Sequence, residues 1–360
     1  MSLPSAYISR PRVLIAGRYE AELSQRVMTA LVEETFEGLY RCEIAVANFG
    51  PTPTNRMDYL YFGRDVLDFG AEVTLQLGPG DPPAQVFKGR ITGLEAEYPE
   101  GGGAQLTILA EDRLQALRMK RRTRSFEDMT DEDVIAQIAR EHSLTPQLSL
   151  QGPTHRVLTQ VNLSDLAFIR ERARSVNAEV WIEDTTLYAR TRPQRGAGSV
   201  DLAYGANLIS FSVRADLAHQ CTELGVTGWD VAGKQAIQEV AEQSAISAEL
   251  GSGAGGSAIL EEKFGARREY VVHTVPLTGQ EARSIAQARY RERARRFVTG
   301  AGVTDGDARI RVGTTVNLSQ LGSLFDGAYS VVRVQHTYDG ANGFRTAFEV
   351  ERPGLGRPSS

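Results

Sequence analysis

Gly70-Ala71-Glu72-Val73-Thr74-Leu75 returns near the end of the chain as Gly313-Thr314-Thr315-Val316-Asn317-Leu318. Each is a glycine followed by the alternating pattern of a half-buried strand. The echo continues outward from there. Phe87-Lys88-Gly89 matches Phe325-Asp326-Gly327, and Tyr98, Gly103 and a strand to Glu111 match Tyr338, Gly343 and a strand to Glu351. The positions expected to point inward keep phase: Leu106, Ile108 and Ala110 against Thr346, Phe348 and Val350. A one-residue slip turns a strand inside out, so shared phase carries more weight than shared letters. Any two hairpins share glycine turns and alternation, and a single match of this kind arises by chance. Three in the same order, with loops of different length between them, predict two related β-barrels or sandwiches in one chain.

The rest of the chain fits around that pair. Residues 1–117 read as strands joined by turns, with Arg12 to Ala16, Tyr40 to Val46, Val73 to Leu77 and Leu106 to Ala110 as runs. Asn48-Phe49-Gly50-Pro51, Gly78 to Pro83 and Gly101-Gly102-Gly103 are the stops. Residues 118–205 change character. Thr130 with Asp133 predicts a capping box, followed by Val134, Ile135, Ile138, Ala139 and His142 at helical spacing, with Pro146 beyond. Ser164-Asp165 opens a second helix whose buried face is Leu166, Ile169, Ala173 and Val176, and Asn177 suits a left-handed cap. Val180-Trp181-Ile182 and Leu187-Tyr188-Ala189 then read as a hairpin. From Asn207 strands return as Leu208 to Val213, Glu223 to Thr227 and Glu269 to Thr274. Residues 230–262 are polar, and Gly251 to Ser257 within them reads as a flexible loop or linker. A third helix is expected from Thr278, with Glu281 as its box partner, through Ile285, Ala288 and Phe297. The predicted fold class is therefore α+β, mostly β: a first barrel over 1–117, a middle α+β region over 118–205, a second barrel over 206–352 and a tail over 353–360.

Composition narrows the function classes. The 360 residues are 41% hydrophobic and 24% charged, ordinary for a globular protein, and a net charge of -5 with pI 5.7 gives the whole molecule no pull toward nucleic acid. The 35 glycines suit a chain with many turns. Cys42 and Cys221 match no metal spacing; they could be bridged only if the fold brought them together, and free thiols are expected. Met1 to Ser5 shows no leader pattern, and no apolar run approaches the ~20 residues of a membrane helix. The expectation is a soluble protein made in a cytoplasm.

No catalytic, cofactor or metal residues stand out. Gly228-Trp229-Asp230-Val231-Ala232-Gly233-Lys234 fits a phosphate-loop spacing, but Gln235 stands where a Ser or Thr hydroxyl would meet Mg²⁺, and no strand–helix alternation surrounds it. Gly251-x-Gly253-x-x-Gly256 fits a dinucleotide fingerprint only formally, since it follows no strand. Arg118-Met119-Lys120-Arg121-Arg122-Thr123-Arg124 could meet nucleic acid or an acidic surface; a solvated strand or connector between domains is the favoured reading. His142, His155, His219, His273 and His336 are scattered, without carboxylate or Cys at ligand spacing. No Gly-x-Ser-x-Gly elbow and no His-Glu-x-x-His occur. Trp181 and Trp229 are expected to be packing residues. Tyr59, Tyr61 and Phe62 could form a carbohydrate platform, but Leu60 and Val66 beside them suggest a packed segment.

Three segments resemble the phage late control protein D group of tail and baseplate hubs, itself similar to the hub half of type VI secretion spike proteins. They are Asn162 to Ile169 with Val180-Trp181-Ile182 after it, Gly228-Trp229-Asp230, and Gly313 to Arg352 with Phe325-Asp326-Gly327-Ala328-Tyr329 and His336-Thr337-Tyr338-Asp339. The resemblance runs from about Arg12 to Arg352. It implies a homotrimer whose chains each contribute two tube-like barrels, so that six similar barrels seat a hexameric inner tube protein. The middle region is implied to face the spike protein, with other baseplate components as further partners and neither nucleic acid nor membrane among them. Because the chain stops soon after Arg352, the spike is expected to be a separate protein. Assembly is expected in the bacterial host cytoplasm, as part of a virion or injection particle. The rival readings are a tail-associated cell-wall hydrolase and a carbohydrate-binding β-protein.

Overall fold

Alternation of apolar and polar residues produces the main sheet, and ten of its thirteen strands among the described residues fall into two sets of five. The computed structural model describes residues 10–356 apart from 53, 232, 252, 273 and 275, so Ala232, Ser252, His273 and both ends of the chain lie outside the described residues. The first set is β1 (Val27–Thr35), β2 (Arg41–Ala47), β3 (Glu72–Leu77), β4 (Ala84–Glu97) and β5 (Gln105–Glu111). The second is β6 (Leu208–Ala215), β7 (Val298–Asp305), β8 (Thr315–Ser319), β9 (Gly327–Asp339) and β10 (Gly343–Arg352). The first set is ordered β1-β2-β5-β4-β3 and the second β6-β7-β10-β9, with β8 on the far side of β9. The topology is the same, and the molecule is mostly β.

The likeness reaches individual hydrogen-bonded pairs. Val73 opposes Gly89 and Leu75 opposes Phe87 in the first set, as Val316 opposes Tyr329 and Leu318 opposes Gly327 in the second. Gly70, at φ +78°, donates its N–H to the Ile91 carbonyl; Gly313, at φ +89°, donates to that of Val331. Only glycine takes this backbone region without strain, which is why both copies open on one. Two β-bulges recur as well. One lies between Ile91 and Gly93 and returns between Val331 and Arg333; the other lies between Val27 and Thr29 and returns between Leu208 and Ser210. A bulge costs a ladder bond and re-aims the strand, so two in matching places mark one design used twice. One alignment read from the sequence needs correction: Phe87 corresponds to Gly327 and Gly89 to Tyr329, so the Phe325-Asp326-Gly327 match is out of step by two residues. A slip of two keeps every side chain on its face, and phase alone could not detect it.

The copies differ in what interrupts them. In the first, residues 36–40 join β1 to β2 directly, whereas residues 216–297 intervene between β6 and β7. That insertion has its own three-stranded sheet, Gln235–Ala241 with Glu223–Asp230 and Arg268–Val271. Val226, Ile237 and Tyr290 lie in the core packed against the last long helix. The middle region holds helices α1 (Asp131–Glu141) and α2 (Asp165–Ser175) over the hairpin Ala178–Glu183 and Thr186–Thr191. Thr130 and Asp133 form the expected capping box, Ser164 caps α2, and Asn177 is left-handed at φ 61°. Two further helices, α3 (Gly256–Phe264) and α4 (Gly279–Arg295), belong to the insertion.

The Gly251 to Ser257 run is not the flexible linker expected from its composition. Ala254 and Gly255 pair with Leu355 and Gly354, so the expected tail also begins as a strand. Gly256 starts α3, and a Cβ there would lie 2.6 Å from the Phe297 ring. A Cβ on Gly253 would lie 2.3 Å from the Leu355 carbonyl oxygen. These glycines allow close packing, a role composition cannot separate from flexibility. Residues 230–262, polar in sequence, also carry the strand Gln235–Ala241.

Candidate assembly interface

The two copies join edge to edge inside the chain, through β9 and β1, into one continuous sheet. The N-terminal part of β9 pairs β8, and from Arg333 onward the same edge takes β1 instead. Val334 opposes Glu34, His336 opposes Val32, and Tyr338 opposes Ala30 on the core face. On the outer face Gln335 opposes Glu33, and the Glu33 carboxylate accepts from Arg333 and from Gln335, at 3.3 Å for the latter. His336 is fully buried, with Nδ1 3.0 Å from the Thr346 hydroxyl. Burial, reinforced by the Arg311 charge, pushes its pKa down to about 3 and keeps the imidazole neutral.

Each partner in this seam has a counterpart in the other copy, and among the described residues no strand pairs with those counterparts on the matching edge. The stretch of β4 that corresponds to Arg333–Asp339 follows the Ile91/Gly93 bulge; it pairs β5 on one side and, among the described residues, no strand on the other. The counterpart of β1 is β6, which among the described residues pairs β7 as a strand and has one isolated bridge, from Leu208 to Tyr204. Exposure follows pairing: Tyr338 is 7% exposed in the seam, and Tyr98, its counterpart, 64%. Unpaired edges with apolar flanks are sites where another chain adds a strand.

Buried ions tie the copies to the middle region. Arg195 donates to Glu179 at 2.9 Å and to the Tyr40 hydroxyl, and its guanidinium lies 4.4 Å from the centre of the Trp181 ring. Arg192 bridges Glu179 at 2.9 Å and Glu351 at 2.8 Å. Burial opposes ionisation of Glu179, but the charges of Arg192 and Arg195 outweigh it and hold the carboxyl below its ordinary range. Glu34 pairs with Arg311 and accepts the Val312 N–H at 3.2 Å, yet burial leaves its pKa raised. Such pairs contribute little net energy once desolvated; what they impose is a fixed arrangement, because removing one partner strands the other.

The motifs weighed from sequence now have places. Gly228 to Asp230 end the strand Glu223–Asp230, which pairs with Gln235–Ala241 as a hairpin, and among the described residues no helix starts there to present N–H groups to a phosphate. In the basic stretch, Arg122 and Arg124 pair with Asp165 and Glu141, and Arg118 with Glu111, as a connector between domains would. Sequence spacing hid the carboxylates near histidine: His142 lies 2.8 Å from Asp165, and His155 3.3 Å from Asp131. Among the described residues no group of three or more His, Cys, Asp or Glu is arranged to hold a metal. Cys42 and Cys221 are free and buried in different cores. Trp181 is buried as expected, whereas Trp229 is 52% exposed. Tyr61 is buried, but Tyr59 and Phe62, tilted with ring centres 4.9 Å apart, form an exposed cluster with Phe49 and Tyr98. Which strands carry the open edges was not legible in the sequence, because an edge is defined by absence of a neighbour.

A family model described as the Alg8 N-terminal domain matches residues 12–339. The 43 kDa tail protein of prophage MuSo2 from Shewanella oneidensis is similar over 96% of this chain and 98% of its own, at TM-score 0.67 and 13% identity. A tail protein from Neisseria meningitidis MC58 is similar over 96% and 97%, at TM-score 0.65 and 12% identity. The c3393 protein of Escherichia coli, a type VI secretion system component, is similar over 96% and 79%, at TM-score 0.55 and 12% identity. The comparison with curated proteins gives no match. At these identities the shared property is the fold, which is that of phage tail proteins.

Proposed function

The chain belongs to the family of the Alg8 N-terminal domain, and from its doubled sheet we propose that it is a structural hub of a contractile tail or phage-like injection machine. The observation that carries this reading is the repetition of one five-stranded sheet in matching register, bulges included. Three such chains around one axis present six similar sheets, a shape that can meet a hexameric inner tube on one side and a threefold spike on the other. The work is symmetry conversion and the start of tube assembly, which needs rigid shape and no reacting groups. Resemblance to the late control protein D group and the fold shared with tail and type VI proteins support the reading. The middle region is proposed to face the spike.

Cryo-electron microscopy of the assembled particle tests it. Three copies between tube and spike, with six related sheets around the axis, are expected. A stable dimer, or a position on the outside of the particle away from the axis, would overturn it.

A further inference from the structure

We propose that successive chains join by strand addition, the free edge of β6 in one chain pairing antiparallel with the free edge of β4 in the next, in the register of the β9–β1 seam. The inference rests on the hub reading for its ring of three, and on the seam for its geometry. Carrying each seam pair to its counterparts puts Leu94 opposite Ala215, Glu95 opposite Arg214, Ala96 opposite Val213, Glu97 opposite Ser212 and Tyr98 opposite Phe211.

Three independent features of these residues agree with that register. The first is face. Leu94 packs on the first copy's core, and Phe211, Val213 and Ala215 on the second's. The register sets these against one another and keeps Glu95, Glu97, Ser212 and Arg214 on the outer face, whereas a slip of one residue would mix the faces. The second is charge. Glu95 directly faces Arg214, an exposed guanidinium whose nearest carboxylate is that of Asp216 at 3.7 Å. In the seam the same cross-strand slot holds Gln335 and Glu33, with Arg333 closing the ion pair. In the seam the acid lies on β1 and its cation reaches it from two residues along β9; in the proposed contact the acid lies on β4 and the cation on β6. The third is exposure. The seam buries His336 and Tyr338 against Val32 and Ala30, while Ala96 and Tyr98 are exposed for want of a partner strand. A ring closed in this way has no free edge at these strands, as a head-to-tail contact repeated to closure requires.

Engineered cysteines read the register directly. Cys42 and Cys221 are buried and will not interfere. In the register proposed, Ala96→Cys and Val213→Cys sit as an opposed pair within disulfide reach across chains. Mild oxidation of the double variant should give covalent dimers and closed trimers on a non-reducing gel. Ala96→Cys with Ala215→Cys, displaced by two residues or ~7 Å along the strand, should not. Charge reversal supplies a second readout on exposed positions that leave the fold intact. Arg214→Glu or Glu95→Arg alone should raise the concentration for half-assembly by about tenfold, and the two together should restore it. Trimers by native mass spectrometry that cross-link through 96 and 215, or that ignore both reversals, would overturn this register and leave the hub reading standing. A chain that is monomeric or dimeric both in isolation and in the purified particle would overturn both.

Discussion

Tyr98 and Tyr338 occupy the same position in two copies of one sheet, and one is 64% exposed while the other is 7% exposed. Tyr338 stands opposite Ala30 across the seam that joins the copies. Tyr98 directly follows β4, whose outer edge is open at that end. The same residue type in the same local structure thus has two energies, set by whether a strand lies beside it. Covering a large apolar side chain is worth ~1.5–3 kcal/mol, an appreciable part of what an interface between chains requires.

Truncating the two tyrosines should separate folding from assembly. Tyr338→Ala is expected to lower unfolding free energy by about 3 kcal/mol in urea titration, as loss of a buried aromatic ring does. Tyr98→Ala should change the isolated chain by less than about 0.5 kcal/mol and weaken chain–chain association. Equal effects on the isolated chain would mean that β4 is already covered.

Asp112 should give the protein a measurable pH dependence. Its carboxylate accepts the Tyr40 N–H at 2.8 Å and the Leu114 N–H at 2.9 Å, but burial is the larger influence and pushes its pKa up to about 7. The folded state therefore holds a proton that the unfolded state has released between the ordinary aspartate range and about pH 7. Stability from this group falls as pH rises through that window, with a slope of up to about 1.4 kcal/mol per pH unit. The difference in unfolding free energy between the parent and Asp112→Asn, followed from pH 4.5 to 8, should show this slope. A flat difference would refute the assignment.

Arg311→Met should be pH-dependent in a related sense. Without Arg311 the buried Glu34 carboxylate loses its charge partner, which costs ~3–5 kcal/mol at neutral pH. Glu34 already sits above its ordinary pKa through burial, so acid should neutralise it readily. The loss measured by chemical denaturation should shrink between pH 8 and pH 5; a constant loss would show that Glu34 is not the cause.

Gly256→Val should destabilise the chain by ~1–3 kcal/mol, because its Cβ would meet the Phe297 ring. Limited proteolysis should spare the segment around Gly255 and Gly256, which is buried, relative to exposed loops. A freely tolerated valine and early cleavage there would restore the linker reading.

Lys234→Ala should leave ATP binding unchanged at nil, and the protein should not hydrolyse peptidoglycan. Isothermal titration with ATP and a dye-release assay on cell walls check this. Saturable ATP binding that the substitution abolishes would revive the phosphate-loop reading.

Short-range chemistry was legible in the sequence. Thr130, Ser164 and Asn177 announce helix ends because capping is decided within four residues. The phase shared by Leu106, Ile108 and Ala110 with Thr346, Phe348 and Val350 announces the doubled sheet, because alternation is a property of each strand alone. What depends on distant neighbours was not legible. Gly256 reads as linker until Phe297 and Pro353 are found beside it, and His155 reads as isolated until folding brings Asp131 to it. The two-residue slip at Phe325 preserved face and so left no trace in the pattern. Pairing of β9 with β1, and the edges of β4 and β6 left without a strand, were decided only by the tertiary structure. Alternation states which face of a strand is buried, but hydrogen bonds to a neighbour run in the plane of the sheet, and no residue type in a strand records which neighbour will receive them.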